Sequence, residues 1–159
     1  DIEKAVLNGE VDAGVLIHES ILTYDEKLEV EAKIWDIWSE LNGENLPLPL
    51  GGMAIRRSIP LLDAINIEEI LTKAVQIANS HKEILSKMLI ERNLVRVNSE
   101  TLKKYLSLYA NDESITLSEI QLKAINKLFE LGFNAGFYDE LVDVNDCLIP
   151  IEYKKVRFS

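Results

Sequence analysis

Val11-Asp12-Ala13-Gly14-Val15-Leu16-Ile17 runs straight into His18-Glu19, and this junction holds the residue best suited to chemistry. An imidazole titrates near neutral pH, so a histidine at the mouth of an apolar strand is placed to take and return protons. The other histidine, His81, stands at an expected helix start and reads as solvated surface. Glu19 has two readings: it orients the imidazole or a substrate, or it opens a surface helix where a negative charge suits the helix dipole. Gly51-Gly52 lets main-chain amides approach an anionic or carbonyl oxygen, and serves equally well as a hinge or sheet entry. Arg56 and Arg57 offer bidentate contacts to a carboxylate, although adjacent strand residues face opposite sides and only one can reach a given site.

Other chemistries lack their residues. The sequence has no glycine-rich phosphate loop, no Gly-x-Ser-x-Gly elbow, and no helix-spaced partner for either histidine, so hydride transfer and zinc hydrolysis are poor readings and neither cofactor nor metal is expected. Cys147 is the only cysteine, which rules out an internal disulfide and fits a reducing cytoplasm. A net charge of −10 without a clustered basic face argues against nucleic acid as a partner. The apolar stretches fall short of a membrane span, and Asp1-Ile2-Glu3-Lys4 lacks the features of a signal peptide. With 47% hydrophobic and 28% charged residues, the 159-residue chain has enough apolar material for a core.

The elements that must position these residues follow from periodicity. Ile2, Ala5 and Val6 keep helical spacing up to Gly9, a helix-terminating glycine, so the chain is expected to start in mid-fold. Residues 11–17 read as a strand covered on both faces, and residues 29–35 as a possible second strand before Asp36 to Leu41 turns helical. Asn42-Gly43-Glu44-Asn45 is a turn, Leu46-Pro47-Leu48-Pro49-Leu50 an extended crossing, and Gly51 to Arg57 a strand. Beyond Pro60 the pattern is helical. Ile67, Ile70, Leu71, Ala74, Val75 and Ala78 form one stripe capped by Asn66, and Ser80-His81-Lys82-Glu83 starts a second helix through Leu85, Met88 and Leu89. A third carries Leu102, Tyr105, Leu106 and Tyr109. A fourth, capped by Thr116 and Glu119, carries a wide stripe through Ala124 and Leu131 and ends at Gly132 and Gly136. Residues 137–159 are a tail with a short strand at Ile151 to Phe158. Trp35, Trp38, Tyr105 and Tyr109 read as core rather than stacking platforms. The expected class is α/β, few strands followed by about four helices.

Gly9 to Glu19, Thr23-Tyr24, Trp35-Asp36-Ile37-Trp38, Leu46 to Gly52 and Arg56-Arg57, in that order, resemble the 1,4-dihydroxy-6-naphthoate synthase family of the futalosine route to menaquinone. The ordered matches span roughly residues 5 to 135, and the combination is specific where each motif alone is not. The chorismate dehydratase family is a sister, but His18-Glu19 and the Leu46 to Gly52 run resemble the naphthoate synthase more closely.

The resemblance implies a type II periplasmic-binding-protein-like, two-lobed fold of which this chain is the carboxy-terminal portion. Residues 1–52 would be part of the second lobe, with the His18 strand and the crossing segment. Residues 53–159 would hold the return strand, the helical region and the tail, and the amino-terminal half of the family fold would be absent. It also implies a cofactor-independent lyase acting on cyclic dehypoxanthinyl futalosine, with His18 as the proton acceptor. A small organic acid is thus the expected substrate, with Glu19, Gly51 and Gly52 as candidate binding residues and self-association or a complementing amino-terminal half as expected partners. The departures are the Asn42 to Asn45 turn and the unmatched tail from Asp139. A non-catalytic small-molecule-binding module of the same fold, or a chorismate dehydratase relative, is the alternative.

Overall fold

Asp1 caps the first helix, its carboxylate accepting from the Lys4 amide at 3.4 Å. The computed structural model describes the backbone of residues 1–95, 97–109 and 111–155, and their side chains except those of His18, Glu19, Leu108 and Tyr109. Helix α1 (Ile2–Leu7) closes as its spacing predicts. Gly9 follows at φ 70°, a left-handed conformation that favours glycine, while the Glu10 amide reaches back to the Ala5 carbonyl at 2.8 Å. Six further helices are described: α2 (Ile34–Asn42), α3 (Leu61–Ser80), α4 (Lys82–Glu91), α5 (Ser99–Tyr109), α6 (Glu119–Asn134) and α7 (Ile151–Lys155). Short 3-10 turns stand at His18–Leu22, Asp112–Ser114 and Val144–Cys147.

The expected α/β class is overturned, because the described residues contain no strand. Residues 11–17 pass through bends and irregular backbone, leaving Val11, Val15 and Ile17 exposed. An extended segment becomes a strand only when a neighbour pairs with its backbone, and among the described residues no ladder receives this one. The same holds for residues 29–33 and for Gly51 to Arg57, while the expected second strand gives way to α2 from Ile34 onward. The two-lobed periplasmic-binding-protein-like architecture, which is built on sheets, is therefore not what the described residues form. At the other end, Ile151–Lys155 is helical where a strand was expected, and residues 156–159 of that expected strand lie outside the described residues.

The chain divides into two compact units. The first comprises residues 1–33 and 78–111 and the second residues 34–77 and 112–159. In the first, α5 packs against α4 and against the 3-10 turn His18–Leu22. Leu102 on α5 is 1% exposed and Ser86 on α4 is 2% exposed, so this hairpin holds the fully buried side chains of the unit. The break between α3 and α4 falls where the sequence put it. Ser80 ends α3 and His81 is the turn residue before Lys82, although no side chain caps the new helix.

The second unit is built around Trp38, Leu46 and Ala124, with Leu48 and Leu131 packed against them. Trp38 is 4% exposed while Trp35, also expected in the core, is half-exposed. Only Ala124 of the wide α6 stripe is fully buried, and Ile120 and Leu128 remain exposed. Two helix starts also move. Pro60 accepts the Ala64 amide at 2.9 Å and α3 begins at Leu61, which puts Asn66 inside the helix. Ser118, rather than Thr116, precedes α6, and its amide donates to Gln121 Oε1 at 2.7 Å in a capping box. Gly132 lies within α6, and Gly136, at φ 78°, follows its end.

Candidate functional site

The histidine expected to work as a base lies on a turn, not at the mouth of a strand. His18 opens the 3-10 turn His18–Leu22, preceded by Ile17 in extended conformation (φ −133°, ψ 172°), whose side chain makes no capping bond. Glu19 follows on the same turn; the side chains of both residues lie outside the described residues. What surrounds the turn is defined. Gly14, four residues upstream, sits beneath α1: a Cβ there would overlap Ile2 Cγ2 and lie 3.3 Å from Val6 Cγ2. Downstream, the Asp25 amide donates to Glu3 Oε2 of the same helix at 3.1 Å. Asp25 in turn accepts from the Lys27 amide at 2.9 Å, and the Leu28 amide closes on the Asp25 carbonyl at 2.9 Å. A glycine inside an apolar run signals close backbone approach, and at Gly14 that signal stood in the sequence unread.

The other predicted residues belong to the second unit. Gly51 and Gly52 are exposed, and a Cβ at either would meet nothing within 4 Å. Neither has a positive φ, so no close approach inside the chain requires glycine here. Arg57 is already engaged: its Nη2 donates to the Asp146 carbonyl at 2.7 Å. Arg56 is exposed. His81, at the turn before α4, is exposed as expected, and Tyr109, one of the expected core aromatics, has a side chain outside the described residues.

A polar clip that the sequence reading did not single out joins α6 to the segment after it. Asp143 Oδ1 accepts from the side chain of Asn126 at 3.1 Å and from both the amide and side chain of Asn145 at 2.9 Å, while Asn126 Oδ1 accepts from the Val144 amide at 2.7 Å. The Asn145 backbone bond, then the Asn126 side chain, hold the Asp143 carboxyl below the ordinary carboxylate range, with partial desolvation opposing them. The Asp143-x-Asn145 spacing is that of a side chain closing its own turn, a local signal available from sequence. This clip is structural in what it does: it fixes Val144, which is buried.

Two hollows are described. One, of about 470 Å³, runs along α3 beside Glu69, Ile70, Lys73, Ala74 and Ile77. The other, of about 260 Å³, lies in the first unit between Ala78, Asn79, Lys82, Leu85, Leu89 and Leu106. Their described lining includes none of Gly51, Gly52, Arg56 or Arg57. Among the described residues no helix is long and apolar enough to cross a membrane.

Comparison with known proteins places this geometry in context. A family model described as menaquinone biosynthesis matches residues 1–134, which include every motif from Gly9 to Arg57. The 1,4-dihydroxy-6-naphtoate synthase of Streptomyces coelicolor is 29% identical over 142 residues, covering 89% of this chain and 49% of that protein. The protein of the same name from Thermus thermophilus is 31% identical over 128 residues, 78% of this chain and 45% of its own length. The chain thus spans about half the length of the curated relatives it matches. No solved structure gives a significant match.

Proposed function

This chain belongs to the menaquinone biosynthesis family, and from that premise we propose that it contributes to the lyase step converting cyclic dehypoxanthinyl futalosine to 1,4-dihydroxy-6-naphthoate, with His18 as general base. The supporting observation is the family match itself, whose bounds, residues 1–134, enclose His18 and the Leu46 to Gly52 segment. The activity belongs to a protein of the relatives' length, of which this chain supplies about half.

The chemistry asks for one group that both accepts and returns a proton. Breaking a carbon–carbon bond beside a carbonyl releases a three-carbon sugar fragment, and aromatising the remaining ring requires a proton to leave carbon. An imidazole titrating near the working pH serves both directions without a cofactor. Glu19 is next in the turn and is the candidate to orient the ring or the substrate.

The test is His18→Ala in the complete gene product that carries this chain, assayed for release of the naphthoate. Turnover should fall by about two orders of magnitude or more, as for removal of a general base, with substrate affinity changed far less. Undiminished turnover removes His18 from the reaction.

A further inference from the structure

We infer that helix α1 is a clip that positions the His18 turn, with Gly14 and Glu3 as its two points of contact. The inference rests on the reading of His18 as the base and names residues that act through it.

The loop carrying His18 has no sheet to hold it. Residues 11–17 form no ladder, and Ile17, which precedes the 3-10 turn, gives it no side-chain cap. A short turn depends on what fastens the chain on either side of it, and both flanks of this one return to the same helix. Four residues before His18, Gly14 lies so close under α1 that a Cβ would overlap Ile2 Cγ2 and press on Val6 Cγ2 at 3.3 Å. Seven residues after His18, the Asp25 amide donates to the Glu3 carboxylate at 3.1 Å. Ile2, Glu3 and Val6 are therefore a single-turn platform that pins residues 14 and 25 and leaves the intervening turn to rest on α5.

The chemistry of the two contacts explains the residue types. Only glycine allows the backbone to come this near to the branched Ile2 side chain. The Glu3 oxygen satisfies an amide that no helix or ladder serves. A base displaced by about 1 Å loses on the order of a hundredfold in rate, so a loop fastened at both feet is what a histidine on a turn needs.

The experiment is done in the complete gene product. Gly14→Ala should lower kcat about tenfold with KM changed less than twofold, the loss expected from a misplaced rather than missing group. Ile2→Ala, which removes the methyl that the new Cβ meets, should restore kcat when combined with Gly14→Ala. Glu3→Ala should lower kcat in the same way, and Glu3→Gln, which keeps an acceptor oxygen, should not. Hydrogen exchange over residues 14–25 should rise in Gly14→Ala and Glu3→Ala and return in the two restoring variants. Unchanged exchange, or a loss that neither Ile2→Ala nor Glu3→Gln repairs, overturns the clip. Full turnover in His18→Ala overturns the base instead, and the exchange data then judge the clip alone.

Discussion

The indole N–H of Trp38 donates to the Leu46 carbonyl at 2.9 Å, and both residues are 4% exposed, so a single buried bond ties α2 to the proline-rich crossing. The same helix then closes on itself. Asn42, 5% exposed, donates from its side chain to the Trp38 carbonyl at 2.7 Å and accepts the Glu44 amide at 2.7 Å. Leu46 is thereby held against Ala124 of α6, and Glu44 is left at the surface to pair with Lys123.

Trp38→Phe separates the bond from the bulk. Phenylalanine keeps most of the apolar contact but leaves the Leu46 carbonyl buried without a donor, which costs about 1–3 kcal/mol. Trp38→Ala adds the cavity and should cost about 3–5 kcal/mol. Urea unfolding of both variants checks the order. A negligible loss in Trp38→Phe beside a large one in Trp38→Ala would mean that packing, and not the bond, holds the crossing in place.

Gly132→Ala should destabilise the second unit even though alanine is the better helix former. A Cβ at Gly132 would lie 3.0 Å from Tyr138 Cδ2 and 3.1 Å from Cζ, and the Tyr138 ring is meanwhile set edge-on to Phe129 with centroids 6.2 Å apart. Overpacking costs about 1–3 kcal/mol, against about 1 kcal/mol gained from helix propensity. In a Tyr138→Leu background the obstacle shrinks and the sign should reverse. Thermal unfolding of the double-mutant cycle reads both arms, and strict additivity would refute the contact.

How much of this was legible beforehand depended on the range of the interaction. The break between Ser80 and Lys82 and the helix that buries Leu102 were readable because their signals lie within a turn or two of the residues concerned. The start of α3 was misjudged because Asn66 and Glu69 imitate a cap, while Pro60 had already opened the helix one and a half turns earlier. The strand expected over residues 11–17 failed for a non-local reason. An apolar run specifies burial but not a partner, and the described chain offers α1 and α5 rather than another strand. Of the candidate site, His18 and Glu19 were put forward from residue type and motif order, and the structure places only their backbone, on a turn. Glu3 was not, since its bond to Asp25 spans 22 positions and leaves no periodic trace.

Asp143 gives the fold a defined acid sensitivity. Its hydrogen bonds to Asn145 and Asn126 lower its folded pKa beneath the ordinary carboxylate value. The stabilisation is therefore fully present above the unfolded pKa and is lost as pH falls through the folded one. Asp143→Asn keeps an acceptor oxygen but removes the charge, so its stability deficit relative to wild type should be greatest near neutrality and shrink in acid. Denaturant midpoints across pH 7 to about 3, the range bracketing a carboxylate's titration, measure it. A deficit independent of pH would show that the charge contributes nothing.

Ser86 should run against the usual direction of core mutations. It lies on α4 at 2% exposure, and its hydroxyl finds no hydrogen-bond partner among the described residues. A buried unpaired hydroxyl costs about 1–3 kcal/mol, and alanine, lacking only that oxygen, also has the higher helix propensity. Removing the hydroxyl leaves a void smaller than a methyl group, which offsets part of the gain. Ser86→Ala should therefore raise the stability of the first unit by about 0.5–1.5 kcal/mol, a typical increment for such repairs. Ser86→Val should lower it, because added methyl groups at a 2% exposed position overpack the core and valine is the poorer helix former. A loss of stability in Ser86→Ala would mean that the hydroxyl is satisfied in solution, and amide exchange along α4 would then locate its acceptor.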